Sequence, residues 1–336
     1  MEKRFLLISK ITLVGILLIF LAGSVVRMTG SGMGCPDWPT CFGKLIPPTS
    51  ETQLDPGYRE KFTEQRLAKM EKTCKLLERL GFKEDADKIR QDPKLREEQP
   101  FNAANTWTEF INRLVGALSG LAILLQLYFS VRLFRQRKDL FLLTFINLIL
   151  FGFNAWWGSI VVASNLVPWI ISLHMIAGLL SVWVQVYIIV RASGTSKSIR
   201  IPAYLYIMLL SLIALSIVQI LMGTQIRQQV DDIYDEMGGR NRSLWIEQLD
   251  LVFYIHRSFS WLVVLFTGFM FYKLKNLNIQ LPGMSWILGI VLVEVISGAA
   301  MSYFSVPPFM QPVHLVLSTV MLAMQLRQWF VSRISA

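Results

Sequence analysis

The chain has 336 residues, 53% of them hydrophobic and only 17% charged, with a mean hydropathy of +0.47; this excludes an ordinary water-soluble globular domain. The formal net charge of +10 invites a nucleic-acid reading, but the placement of the basic residues excludes it. They cluster at alternate ends of the apolar segments and report orientation in a membrane.

Eight apolar runs follow one another at roughly 5–27, 107–133, 140–163, 168–191, 202–226, 251–272, 282–305 and 310–331. Each reaches about 20 residues, the length that spans the hydrocarbon core. They are predicted to be helices, since only a helix satisfies its own backbone in lipid. The expected fold is an all-α membrane protein: eight transmembrane helices in two parallel four-helix repeats, with a helical extracytoplasmic insert. The first run follows Met1-Glu2-Lys3-Arg4 directly. It is too long for a signal-peptide core and no small-residue cleavage site follows, so it is expected to stay as a helix. Lys3, Arg4 and Lys10, then Arg132, Arg135, Arg137 and Lys138, then Arg191, Lys197 and Arg200, then Lys273 and Lys275, then Arg327 and Arg333 mark one side. The loops 164–167 and 306–309 on the other side carry no Lys or Arg. The positive-inside rule therefore places both termini in the cytoplasm of a bacterial inner (plasma) membrane protein. The long outer segment, 44–105, is polar, with Phe62, Leu67, Met70, Leu76, Leu77 and Leu80 at helical spacing. It reads as a small helical pair resting on the outer face, an insert without chemistry of its own.

The sequence repeats itself. Gly23-Ser24-Val25-Val26-Arg27 closes the first run and Gly223-Thr224-Gln225-Ile226-Arg227 the fifth; Ile111-Asn112-Arg113 opens the second and Ile255-His256-Arg257 the sixth. Gly158 precedes His174 by the same 16 residues that separate Gly298 from His314. An even number of helices per unit makes the repeats parallel, about an axis normal to the membrane. The expected division is 1–191, which includes the insert, and 192–336. Positions 112, 174, 256 and 314 become equivalent and share one depth near the outer surface. The only three histidines of the chain occupy three of them. Ionisable side chains inside a bilayer mark function, and imidazole is a common axial ligand of haem iron. Two imidazoles at one depth on facing helices can hold a haem from both sides, which singles out His256 and His314. The first half offers His174 with Asn112 opposite. Arg27, Arg113, Arg227 and Arg257 lie at the same boundary and are candidates to pair haem propionates. Glu294, deeper in the seventh run, is expected to be protonated or paired and to serve the second half. The Gly30–Gly34 stretch lacks the lysine and the strand–helix context of a phosphate loop.

The outer end of the first run reads Gly23-Ser24-Val25-Val26-Arg27-Met28-Thr29-Gly30-Ser31-Gly32-Met33-Gly34-Cys35-Pro36-Asp37-Trp38-Pro39-Thr40-Cys41. With eight helices and this histidine pattern, the chain resembles the haem A synthase family of cytochrome oxidase assembly proteins, over its whole length apart from about 55–98. The resemblance implies a resident haem b between His256 and His314, and a substrate site for haem O in the first half. There His174 matches a ligand histidine, and Asn112 stands where the family has its partner. Glu109, three residues before Asn112, matches a glutamate on which the family's activity depends. The resemblance also implies a disulfide between Cys35 and Cys41, which the topology puts outside the cytoplasm; Cys74 is left over as a free thiol. The implied reaction converts the C8 methyl of haem O to a formyl group by successive hydroxylations. Haem O synthase and cytochrome oxidase assembly factors are the implied partners, in contact with membrane lipid, with no nucleic acid and with homo-oligomerisation open.

Asn112 departs from the pattern. An amide is a poor iron ligand, so the substrate haem would be five-coordinate through His174 or hold water on the open side. An open position suits oxygen activation; it also fits weak substrate binding or lost catalysis. The sequence thus leaves a rival, a non-catalytic membrane haem-binding or haem-delivery protein with only the C-terminal site intact. A transporter is disfavoured, because the polar residues lie near the outer surface and not at the midplane.

Overall fold

The computed structural model describes residues 1–97, 100–194 and 199–334. It is an all-α membrane protein, helical almost throughout. The membrane-length helices are α1 (Glu2–Met28), α5 (Ala103–Arg132), α6 (Lys138–Ala163), α7 (Pro168–Ala192), α8 (Ala203–Glu236), α9 (Leu251–Asn276), α10 (Met284–Tyr303) and α11 (Met310–Val331). Between α1 and α5 lie α2 (Tyr58–Arg79), α3 (Lys83–Gln91) and the short α4 (Pro93–Arg96). Strands β1 (Ile199–Ile201) and β2 (Ser332–Ile334) pair in parallel at the far end of the bundle, opposite the insert. Lys197, one of the basic residues used for orientation, lies outside the described residues.

Seven of the eight long helices among the described residues are apolar enough to cross a bilayer. The eighth run forms α11, whose 22 residues reach about 33 Å. Its composition is more polar because His314, Gln325 and Gln328 face protein and not lipid; Gln325 and Gln328 are buried. The fifth run also departs from expectation. Its helix continues ten residues past the predicted end at 226, to Glu236. The added turns are too polar for an apolar-run reading but bury Val230 and Ile233 under Trp245, Leu249 and Phe253. Arg227 is therefore inside a helix, and not at its end as the sequence implied.

Helices α1, α5, α6 and α7 pack in a closed ring, and α8, α9, α10 and α11 repeat the pattern. The rings meet along α7 and α11, with α1 against α11 mirrored by α8 against α7. The largest apolar core sits on this seam, joining Ile16, Leu179 and Val186 to Leu205, Leu209, Leu212, Leu322 and Leu326. The hairpin turns match as well. Asn165 and Leu166 take φ of 50° and 65°, and Ser305 and Val306 take 56° and 53°. Left-handed backbone at a leucine or a valine is sterically costly, so the same turn built twice marks a true structural repeat. Leu118, Leu121, Leu265 and Ile296 point outward from the rings, as lipid-facing side chains do.

The first ring is tied across by buried amides at the depth of Gln185. Asn147 Nδ2 donates to Gln185 Oε1 at 2.8 Å, and Gln185 Nε2 donates to Ser9 O at 2.7 Å and Gln126 Oε1 at 2.9 Å. Ser181 Oγ donates to Asn147 Oδ1 at 2.8 Å. One side chain thus joins all four helices.

The insert docks firmly. Met70, Cys74, Leu77, Ala86, Ile89 and Leu95 form one core with Trp157, Ile160, Val161 and Ile170 of α6 and α7. Phe82 stacks on Trp169 with centroids 4.4 Å apart, and Trp169 Nε1 donates to Asp85 at 2.9 Å. This is the expected helical pair, and it caps the first ring. Cys74 is free and buried, and burial pushes its thiol above the usual range.

Candidate functional site

Two of the three histidines come together. His256 on α9 and His314 on α11 face each other with ring centroids 6.4 Å apart and planes at 68°. Two imidazoles that each place a nitrogen about 2 Å from one metal ion set their centroids roughly 6 Å apart. The pair therefore fits a single iron held from both sides. Small residues make room for each ring. A Cβ on Gly223 would lie 3.6 Å from His256 Cε1, one on Gly298 3.6 Å from His314 Cε1, and one on Gly158 3.3 Å from His174 Cε1. A larger side chain at Gly158 would push His174 off its seat. Gly23, the counterpart of Gly223, has nothing within 4 Å of its would-be Cβ. Asn112 does not fill the place an imidazole takes in the other half. Its side chain lines a cleft of about 300 Å³ between α1 and α5, with Leu18, Leu21, Val25, Ile111 and Val115.

His314 Nδ1 lies 2.8 Å from Glu294 Oε2 and 2.8 Å from Ser297 Oγ. The Nδ1 atoms of His174 and His256 are buried with no partner among the described residues. No group of three or more His, Cys, Asp or Glu side chains among the described residues could hold a bare metal ion.

Glu109 is buried at the start of α5 and pairs with Arg113 one turn on. Its other oxygen accepts the Cys35 N–H at 2.8 Å. Arg113 also donates to the carbonyls of Cys35 and Asp37. Cys35 and Cys41 are joined by a disulfide, with Cα atoms 5.1 Å apart. The loop needs glycine at Gly34, where a Cβ would come within 2.6 Å of the Asn105 carbonyl carbon. Lys69 of the insert donates to Pro36 O at 2.6 Å, and burial lowers its ammonium pKa. Glu109 and Arg113 therefore pin the disulfide loop onto α5, and the insert holds it from above.

The other arginines differ in their commitments. Arg27 donates to Asp231 and Gln228, each at 2.8 Å, and Arg227 pairs with the same Asp231. Arg257 is exposed, and among the described residues its guanidinium has no hydrogen bond or ion pair; only its carbonyl is engaged, accepting from Ser260 Oγ at 2.6 Å. Of the four propionate candidates, only Arg257 has its guanidinium uncommitted. Sequence reasoning missed Asp231 and Ser297. Asp231 was legible as the i+4 partner of Arg227, and Ser297 as the residue one turn beyond Glu294 on the same face.

The COX15-CtaA family, described as cytochrome oxidase assembly protein, matches residues 5–75 and 82–326. The chain belongs to this family. Among curated relatives, the heme A synthase of Alkalihalophilus pseudofirmus is 45% identical over 62 residues, 18% of this chain and 21% of that protein. The heme A synthase of Shewanella oneidensis is 47% identical over 45 residues, 13% of this chain and 14% of the relative. That of Shouchella clausii is 42% identical over 62 residues, again 18% and 21%. These matches span about a fifth or less of each relative's length.

Proposed function

We propose that this protein is a haem A synthase: an oxidoreductase that converts the C8 methyl of haem O to a formyl group by successive hydroxylations, for cytochrome oxidase assembly. The observation that carries the reading is the pairing of His256 with His314 at a spacing that suits one iron, in a chain of the COX15-CtaA family. The half formed by 192–336 would hold haem b between these two imidazoles. When bound there, haem b supplies one-electron storage and transfer. The half formed by 1–191 would take haem O, with His174 binding its iron and Asn112 leaving the opposite face open. Glu109 keeps a carboxylate one turn from Asn112, oriented by Arg113 and Cys35, where it can take or give a proton. Arg257 is the propionate candidate free to turn toward a carboxylate; Arg27, Arg113 and Arg227 would have to exchange existing partners. The proposed setting is the bacterial inner membrane, with the insert outside and both termini in the cytoplasm. Haem O synthase and oxidase assembly factors are the proposed partners.

Cells that supply haem O provide the test. Membranes containing the protein should yield haem A on extraction, and His174→Ala should abolish it. Absence of haem A with the intact protein present would overturn the proposal. Asn112 favours a second reading, haem binding or delivery without catalysis. In that case haem b is retained on His256 and His314 while no haem A forms.

A further inference from the structure

We infer that Glu294 is a positioning residue for the second-half haem: it fixes His314 in the tautomer that presents Nε2 to iron and strengthens that imidazole as an axial donor. The inference rests on the proposed reading that His256 and His314 hold haem b. Ser297 Oγ donates its proton to Glu294 O at 2.9 Å, so the same oxygen faces His314 Nδ1 as an acceptor at 2.8 Å. Glu294 Oε2, also at 2.8 Å, is a second acceptor on that nitrogen. Both contacts call for a hydrogen on Nδ1, which leaves the lone pair on Nε2. Gly298 sits against Cε1 and leaves room for the ring. A carboxylate on the far nitrogen raises the basicity of a ligating imidazole and holds its plane. More electron donation to the iron favours the ferric form and lowers the reduction potential.

The arrangement belongs to one half only. Four residues before Gly158, where Glu294 stands before Gly298, the first half has Asn154, whose amide donates to Leu150 O at 2.9 Å. Trp157 replaces Ser297 and donates to Ile170 O at 2.8 Å. His174 and His256 have no partner at Nδ1 among the described residues. Of the three imidazoles, His314 alone has a carboxyl group against its Nδ1 among the described residues. The second half is thereby built to hold an electron-rich iron, whereas His174 is left a weaker donor.

Redox titration of the purified full-length protein with its haem, followed by its absorption spectrum, tests this. Glu294→Gln keeps size and an acceptor oxygen but removes the charge. It should retain a low-spin bis-histidine spectrum, and the reduced-to-oxidised ratio of haem b at a fixed ambient potential should rise about tenfold, equivalent to about 59 mV for one electron. Glu294→Asp keeps the charge at longer reach, and its potential should fall between those two. Parity of both variants with the parent overturns the inference. If only the aspartate variant accumulates, its parity alone does so. His256→Ala and His314→Ala are run beside them. If these keep the parental low-spin spectrum, the haem reading itself fails. If they lose it while Glu294→Gln leaves the potential unmoved, only the role of Glu294 fails.

Discussion

An imidazole packed against a glycine has little freedom, and this chain uses that device three times, at Gly158, Gly223 and Gly298. The fourth equivalent place, beside Gly23, has space for a ring that the sequence does not supply. Asn112→His should therefore be accommodated without collision. It should convert haem bound in the first half from a high-spin or water-ligated state to a low-spin one, read by absorption or electron paramagnetic resonance. An unchanged spin state would show that residue 112 does not face the bound iron. Glu109→Gln should impair haem A formation while sparing the spectrum of the second half. The histidines were legible in the sequence because ionisable residues stand out in apolar runs, and Glu109 only through the resemblance of its segment to a known family. Their partners were not, since a serine such as Ser297 is commonplace in a helix and gains meaning only when packing brings it to His314.

The long helices were read from their apolar runs to within a few residues, because membrane-spanning length is a strong signal. The polar end of α8 was hidden for the complementary reason: its helix is held by packing under Trp245, and apolar run length is blind to that. The amide belt around Gln185 was equally hidden. Gln185→Leu would strand Asn147 Nδ2 and Gln126 Oε1, at a cost of about 1–3 kcal/mol. The melting temperature in detergent should drop accordingly. Gln325 stands eleven residues past His314, as Gln185 does past His174, yet both its amide atoms lack a partner among the described residues. Gln325→Leu should be neutral or stabilising in the same assay. The insert responds to pH instead. Arg90 holds the Glu71 and Glu78 carboxylates below their usual range. Groups with depressed folded values add stability above the unfolded carboxylate range, near about pH 4.3, and lose it as pH falls through the folded values. Limited proteolysis of residues 58–91 should accelerate below that range, and Arg90→Ala should remove the difference.

At the scale of the molecule, Asp231 of α8 joins the two rings at the C-terminal end of α1. Asp231→Asn would leave Arg27 and Arg227 close together without their shared anion, at a cost of about 1–3 kcal/mol. Thermal unfolding should report the loss, and disulfide trapping between α1 and α8 should become less efficient.

The contacts between the rings follow the rule of a two-fold dimer, in which a patch on one partner meets its own copy on the other. In a dimer of identical chains every substitution is made twice. Here the two partners are covalently one, so a change can be made once. Asn112 could replace a histidine on one side while His256 kept the other, and Glu294 could be placed behind His314 with Asn154 left behind His174. Joining the copies lets a symmetric scaffold make its two halves chemically different.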